Sequence, residues 1–264
     1  MLLFTFCKVS PAEIKITRLH VWLILIQTIG SVAVYLIICR FNKIIAEGAM
    51  VCLICPTATA AVVITSKLGG SESSVTTYTI ISNIGTALVV PILFPLIENT
   101  TGVSFRFAFI SILQRVFFLL ICPFIAAWLL RILVPTVHRK LLSWHEVSFY
   151  LWALSLTIVT SQTFYAIING TSSGFIEIMI VFVALLLSCL QLWLGKSIGG
   201  VYDDRIAGGQ SLGQKNTILG IWMSQTYLNP LSSLAPGTYV IWQNIINSWQ
   251  LWKKRKEKRR KNVT

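Results

Sequence analysis

Apolar residues in this chain do not alternate with polar ones but run in long blocks, each close to the ~20 residues that a bilayer-spanning helix needs. The blocks predict spans at 20–39, 47–66, 75–97, 106–133, 146–168, 174–195, 204–228 and 234–251, with a partial helix at 1–8 ahead of them. Two spans are interrupted. The span at 47–66 holds Pro56 at its midpoint, where the ring and the missing N–H break the hydrogen-bond ladder. The span at 204–228 reads Gly208-Gly209-Gln210-Ser211-Leu212-Gly213-Gln214-Lys215-Asn216, with glycines and polar groups at bilayer depth. Unpaired backbone survives there only where protein or a water-filled cavity satisfies it, and paired broken helices mark substrate sites in secondary transporters.

Composition agrees with the pattern: 55% of residues are hydrophobic, 12% are charged and the mean hydropathy is +0.74. That excludes an ordinary soluble domain and leaves no connection long enough for an extramembrane one, so any chemistry lies inside the bundle. Of the 22 Lys and Arg, eight fall in the run from Lys253 to Lys261, directly after the last apolar block. The net charge of +13 therefore points to anionic membrane lipids rather than to nucleic acid. With this tail cytoplasmic, 17 basic residues come out inside and three outside, which orients the chain. The six cysteines, including Cys52 and Cys55, sit in apolar surroundings and read as packing residues. Neither a metal site, a cofactor nor a catalytic residue is expected.

An odd number of spans per repeat inverts the second copy, and the two breaks fall in matching places if residues 1–97 form one repeat and 98–251 another. The arithmetic then expects a first span missing ahead of residues 1–8, with 252–264 as a basic cytoplasmic tail and 1–264 as a single transmembrane unit.

Cys55-Pro56-Thr57-Ala58-Thr59-Ala60, Pro91-x-x-x-Pro95, Gly213-Gln-Lys-Asn216 and Val240-Ile-Trp242-Gln-Asn244, in that order and spacing, resemble the bile acid:sodium symporter family of secondary transporters. The resemblance implies an all-α polytopic membrane protein of two inverted five-helix repeats, about nine of the ten helices being present here. It also implies a panel domain (1–8, 106–133 and 146–168), a core domain from the remaining spans, and two broken helices crossing at mid-membrane. It further implies an alternating-access carrier for an organic anion, bile-acid-like or a smaller carboxylate, in a bacterial inner membrane. The substrate-binding candidates are Thr57, Thr59, Gln214, Lys215 and Asn216 at the breaks, with Asn83, Gln243 and Asn244 completing a polar lining. Half-helix N-termini at the crossing carry the positive dipole ends that suit an anion. Glue between helices is the competing reading of the amides.

At the cation-site positions the chain departs from that family's pattern. A Ser-Asn pair, a Glu and a Gln are replaced by Ala61, Val62, Ser211 and Lys215, and only Gln27 matches a sodium-binding glutamine. Sodium coupling is not expected, because Lys215 supplies a fixed charge at one former site or exchanges a proton during transport. Glu177 and Arg115 are ionisable groups within spans, and His20, His138 and His145 read as interfacial. Two rival readings stay open: a partnered membrane sensor that no longer transports, and a lipid-modifying enzyme built on Asp203-Asp204.

Overall fold

The computed structural model describes residues 14–97, 105–143 and 174–261, together with isolated positions at 3, 7 and within 150–168. The spans expected at 1–8 and 146–168, and His145, lie largely or wholly outside the described residues. The protein is an all-α membrane protein. Its helices are α1 (Arg18–Ile38), α2 (Lys43–Ile54), α3 (Ala60–Leu68), α4 (Glu72–Ile97), α5 (Phe105–Leu133) and α6 (Pro135–Ser143). They continue with α7 (Gly174–Val201), α8 (Arg205–Gly213), α9 (Thr217–Tyr227) and α10 (Leu234–Lys261), the last preceded by a 3₁₀ turn at Pro230–Ser233. Helices α1, α4, α5 and α7 are each long and apolar enough to cross a membrane. The spans expected at 47–66 and 204–228 are split, as α2/α3 and α8/α9.

Local sequence sets the ends of these pieces. Asn42 accepts the Ile45 N–H at 3.1 Å and so caps the start of α2, and Asn216 accepts the Leu219 N–H at 3.4 Å at the start of α9. Gly69, at φ 78°, closes α3 in the left-handed region open to glycine. Cys55, forced out of the helical region by Pro56, takes ψ 136° and ends α2.

Helix α2 is buried from Ala46 through Ile54 on every face, which makes it the centre of the molecule rather than a lipid-facing span. One apolar cluster joins Met50, Val51 and Ile54 to Val90 and Phe94 of α4, Val116 and Leu120 of α5, and Met223 of α9. A second joins Ala49 and Leu53 to Ile180 and Ala184 of α7 and to Tyr239 of α10. Residues such as Ile29, Leu88, Phe118, Phe175 and Trp193 stay exposed on the outer faces, as suits a chain whose solvent there is lipid.

Two expectations change. Gly208 and Gly209 do not interrupt a helix; they lie inside α8, and α8 packs backbone to backbone on α7 there. His20 is buried rather than interfacial: its Nδ1 accepts the Thr17 N–H at 3.0 Å, leaving Nε2 to donate to the Ser74 carbonyl at 3.1 Å, which ties α1 to α4.

The α7–α8 contact depends on the absence of side chains, since a Cβ at Gly195 would sit against the Gly208 carbonyl oxygen. Gly195→Val is expected to cost about 3 kcal/mol, enough to remove most folded protein from the membrane fraction. Size-exclusion yield in mild detergent checks this, and Gly200→Val, where a Cβ meets open space, is the neutral control.

Candidate functional site

The two broken spans meet where each lacks helix. Residues 55–59 connect α2 to α3 and residues 214–216 connect α8 to α9, and the connections pair as a short antiparallel bridge between Thr57 and Lys215. The Ala58 N–H donates to the Gln214 carbonyl at 2.9 Å, and the Asn216 N–H donates to the Pro56 carbonyl at 2.8 Å. Each break thus supplies the backbone partners that the other has lost.

Side chains repeat this reciprocity. Thr57 Oγ1 donates to the carbonyl of Ser211, four residues before Lys215, at 2.7 Å; Lys215 Nζ donates to the carbonyl of Leu53, four residues before Thr57, at 2.8 Å. The Thr57 N–H donates to Ser82 Oγ of α4 at 3.1 Å, and the Lys215 N–H to Gln243 Oε1 of α10 at 2.9 Å. Four residues before Ser82 stands Tyr78, whose hydroxyl donates to Gln27 Oε1 at 2.8 Å. Four before Gln243 stands Tyr239, whose hydroxyl donates to the Gly213 carbonyl at 2.8 Å.

The end of α2 leaves four consecutive carbonyls without helical partners, and every one is met by a side chain. Gln191 Nε2 of α7 donates to Cys52 O at 3.3 Å. Gln27 Nε2 donates to Ile54 O at 3.1 Å, where Thr86 Oγ1 also donates at 2.8 Å. Lys215 Nζ takes the other two, Leu53 O and Cys55 O, the latter at 3.1 Å, and approaches Gln27 Oε1 at 3.5 Å.

On the other side of the bridge a cavity of about 80 Å³ opens. It is lined by residues 58–60, by residues 214–218, and by Val240, Gln243 and Asn244. Ala60 of α3 and Thr217 and Ile218 of α9 border it, so the N-terminal ends of two half-helices meet at one small space.

The structure therefore brings Thr59, Gln214, Asn216, Gln243 and Asn244 together at the cavity. Thr57 is buried within the bridge, its hydroxyl spent on Ser211 O. Lys215 borders the cavity, but its amino group points the other way, into the end of α2. Asn83 is buried in α4 away from the cavity lining, with Nδ2 on Thr79 O at 2.6 Å. Gln27 stands beside the Lys215 amine, and Ser211 contributes its carbonyl to the bridge. Ala61 is buried with Val75 and Ala207, Val62 packing against them, so this cation-site position is filled by hydrocarbon.

Tyr78, Ser82, Thr86, Gln191 and Tyr239 were not singled out from sequence. The available signal was spacing: Tyr78, Ser82 and Thr86 stand at i, i+4 and i+8 on α4, as Tyr239, Gln243 and Asn247 do on α10. Glu47, the first residue of the span expected at 47–66, was not singled out either. It is buried one turn inside α2, where its Oε2 accepts the Asn229 N–H at 3.0 Å and anchors the turn before α10.

Broken helices crossing inside an apolar bundle are an arrangement that membrane transporters use. A family model, the SBF-like CPA transporter family, matches residues 8–247, and the chain belongs to that family. Comparison with curated proteins returned no match.

Tyr239→Phe removes both the donor to Gly213 O and the acceptor of Gln191 Nε2 at 3.1 Å. It is expected to cost about 2 kcal/mol and lower the melting temperature in detergent by about 5 °C. Tyr78→Phe breaks one bond and is expected to cost about half as much.

Proposed function

We propose that this protein is an alternating-access carrier for a small organic anion, with transport that does not depend on sodium. The observation that carries the reading is the cavity bordered by the first turns of α3 and α9. The start of a helix is its positive end, so a carboxylate placed between two such ends is favoured by the field of both without a buried cation. Thr59, Asn216 and Asn244 add side-chain donors at the rim, and Gln214 and Gln243 brace the wall. A cavity of about 80 Å³ favours a compact carboxylate over a steroid-sized one in this conformation.

The reciprocal bonds support two inverted repeats, with α1 to α4 and α7 to α10 forming the core that would move as a unit against a panel containing α5. The positive-inside bias places the basic end of α10 in the cytoplasm. Absence of sodium coupling is supported at both former cation positions. Ala61 and Val62 offer no side-chain oxygen, and the Lys215 amine stands beside Gln27. A hard cation has nothing to bind at the first and meets a like charge at the second.

Uptake of radiolabelled pyruvate, pantoate and taurocholate into proteoliposomes tests the proposal. Saturable uptake of a small carboxylate is expected, at equal rates in sodium and choline chloride, and Asn216→Leu should slow it about tenfold by removing one site interaction. Steep sodium dependence would overturn the uncoupled reading, and no uptake of any of the three by folded protein would overturn the carrier.

A further inference from the structure

Three helices bring positive charge together at the basic end of the bundle, away from the crossing. Lys196 lies in the last two turns of α7, Arg205 is the first residue of α8, and Lys253 stands on α10 just past its apolar part. Arg205 and Lys253 are both within electrostatic reach of the half-buried Lys196 amine. Among the described residues no carboxylate stands within 4 Å of any of the three. Asp204, next in sequence to Arg205, acts instead on His20 of α1, and Glu257 shares a cleft with Lys253, Lys256 and Arg260, one carboxylate among three cations. Arg205 also sits at the positive end of α8, where a further cation is disfavoured.

A buried amide completes the set. Gln250 is 8% exposed, and its Oε1 accepts from Lys196 Nζ at 2.7 Å. An ammonium only donates, so this bond fixes which way the amide points. Its Nε2 is left buried and without a hydrogen-bond partner. An unmet buried donor is costly, and the cationic side chains around it are donors that cannot accept from it. The missing component is therefore an anion with several acceptor oxygens. A phosphate group carries charge on oxygens arranged tetrahedrally, so it reaches donors on different helices at once. Trp193 and Trp249, exposed on α7 and α10, lie about one turn toward the bilayer from Lys196 and Lys253, and Lys253 Nζ stands over the Trp249 ring at 5.7 Å. Indoles mark the membrane–water interface, which sets the cations at headgroup depth.

We infer that the junction of α7, α8 and α10 is a phosphate-binding site, in which Lys196, Arg205, Lys253 and the Gln250 amide hold one phosphate group and so tie the three helices together. The donors suit the phosphate of an anionic phospholipid headgroup and inorganic phosphate alike. Attraction of the tail to a charged membrane surface needs only loose charges. This site instead depends on Lys196 and Arg205, which lie outside the tail, and it holds for whatever substrate the cavity takes.

Melting temperatures in detergent are compared for wild type, Lys196→Gln and Lys256→Gln at equal ionic strength. The additions are sodium chloride, sodium phosphate, and micelles doped with dioleoylphosphatidylglycerol or with zwitterionic dioleoylphosphatidylcholine. Wild type and Lys256→Gln are expected to gain about 5 °C, saturably, with phosphatidylglycerol or phosphate over chloride and phosphatidylcholine, and Lys196→Gln to lose that gain. A gain with phosphatidylglycerol alone assigns the site to a lipid headgroup, and a gain with phosphate assigns it to a soluble phosphate; either supports the site. No gain in wild type with either addition, an equal gain in Lys196→Gln, or a loss in Lys256→Gln as large as in Lys196→Gln overturns the inference. Arg205→Gln, at an exposed position, is read in the same way if Lys196→Gln does not accumulate.

Discussion

A backbone carbonyl at the middle of a bilayer has no water to turn to, and the α2 break strands four of them in a row. How those four are satisfied organises the rest of the molecule. Their partners come from α1 (Gln27), α4 (Thr86), α7 (Gln191) and the α8–α9 connection (Lys215), so the end of one short helix recruits four other elements. The same need at the end of α8 recruits Thr57 and Tyr239. Leaving any one group unmade costs about 1–3 kcal/mol, which is large against the stability of a whole domain. The broken helices are therefore not loose segments but are tied to the rest of the fold at both breaks.

That arrangement divides the crossing into two chemically different sides. The carbonyl ends of the half-helices are closed by protein donors, while the amide ends of α3 and α9 border the cavity. The positive field of those two ends is what the anionic substrate proposed above would complement. The same division explains why Lys215, although placed next to the cavity in sequence, sends its amine to the opposite side: the negative ends attract it and the positive ends do not.

Much of this was legible in the sequence where a residue carries a backbone consequence. Pro56 and the Gly213–Asn216 stretch mark both breaks because proline removes a donor and because polar residues at bilayer depth need a partner. Gly208 and Gly209 looked like part of the second break, yet glycine serves equally well to let two helices touch, and only packing separates the uses. Tyr78 and Tyr239 were invisible because a tyrosine in an apolar span ordinarily reads as an interfacial anchor, and only the repeated i, i+4, i+8 pattern distinguishes them. Asn83 and Lys215 are both buried, but Asn83 turns back on Thr79 O of its own helix and Lys215 leaves a non-helical link toward α2, directions that sequence spacing does not give. Glu47 is buried because α2 starts at Lys43, a turn ahead of the span predicted at 47–66.

The central claim is that the non-helical links satisfy each other. Hydrogen–deuterium exchange of the protein in nanodiscs reads it directly at Ala58 and Asn216, whose N–H groups donate across the bridge. Both are expected to exchange as slowly as the buried amides of α4. Exchange at the rate of an open loop, with α4 still protected, would contradict the account.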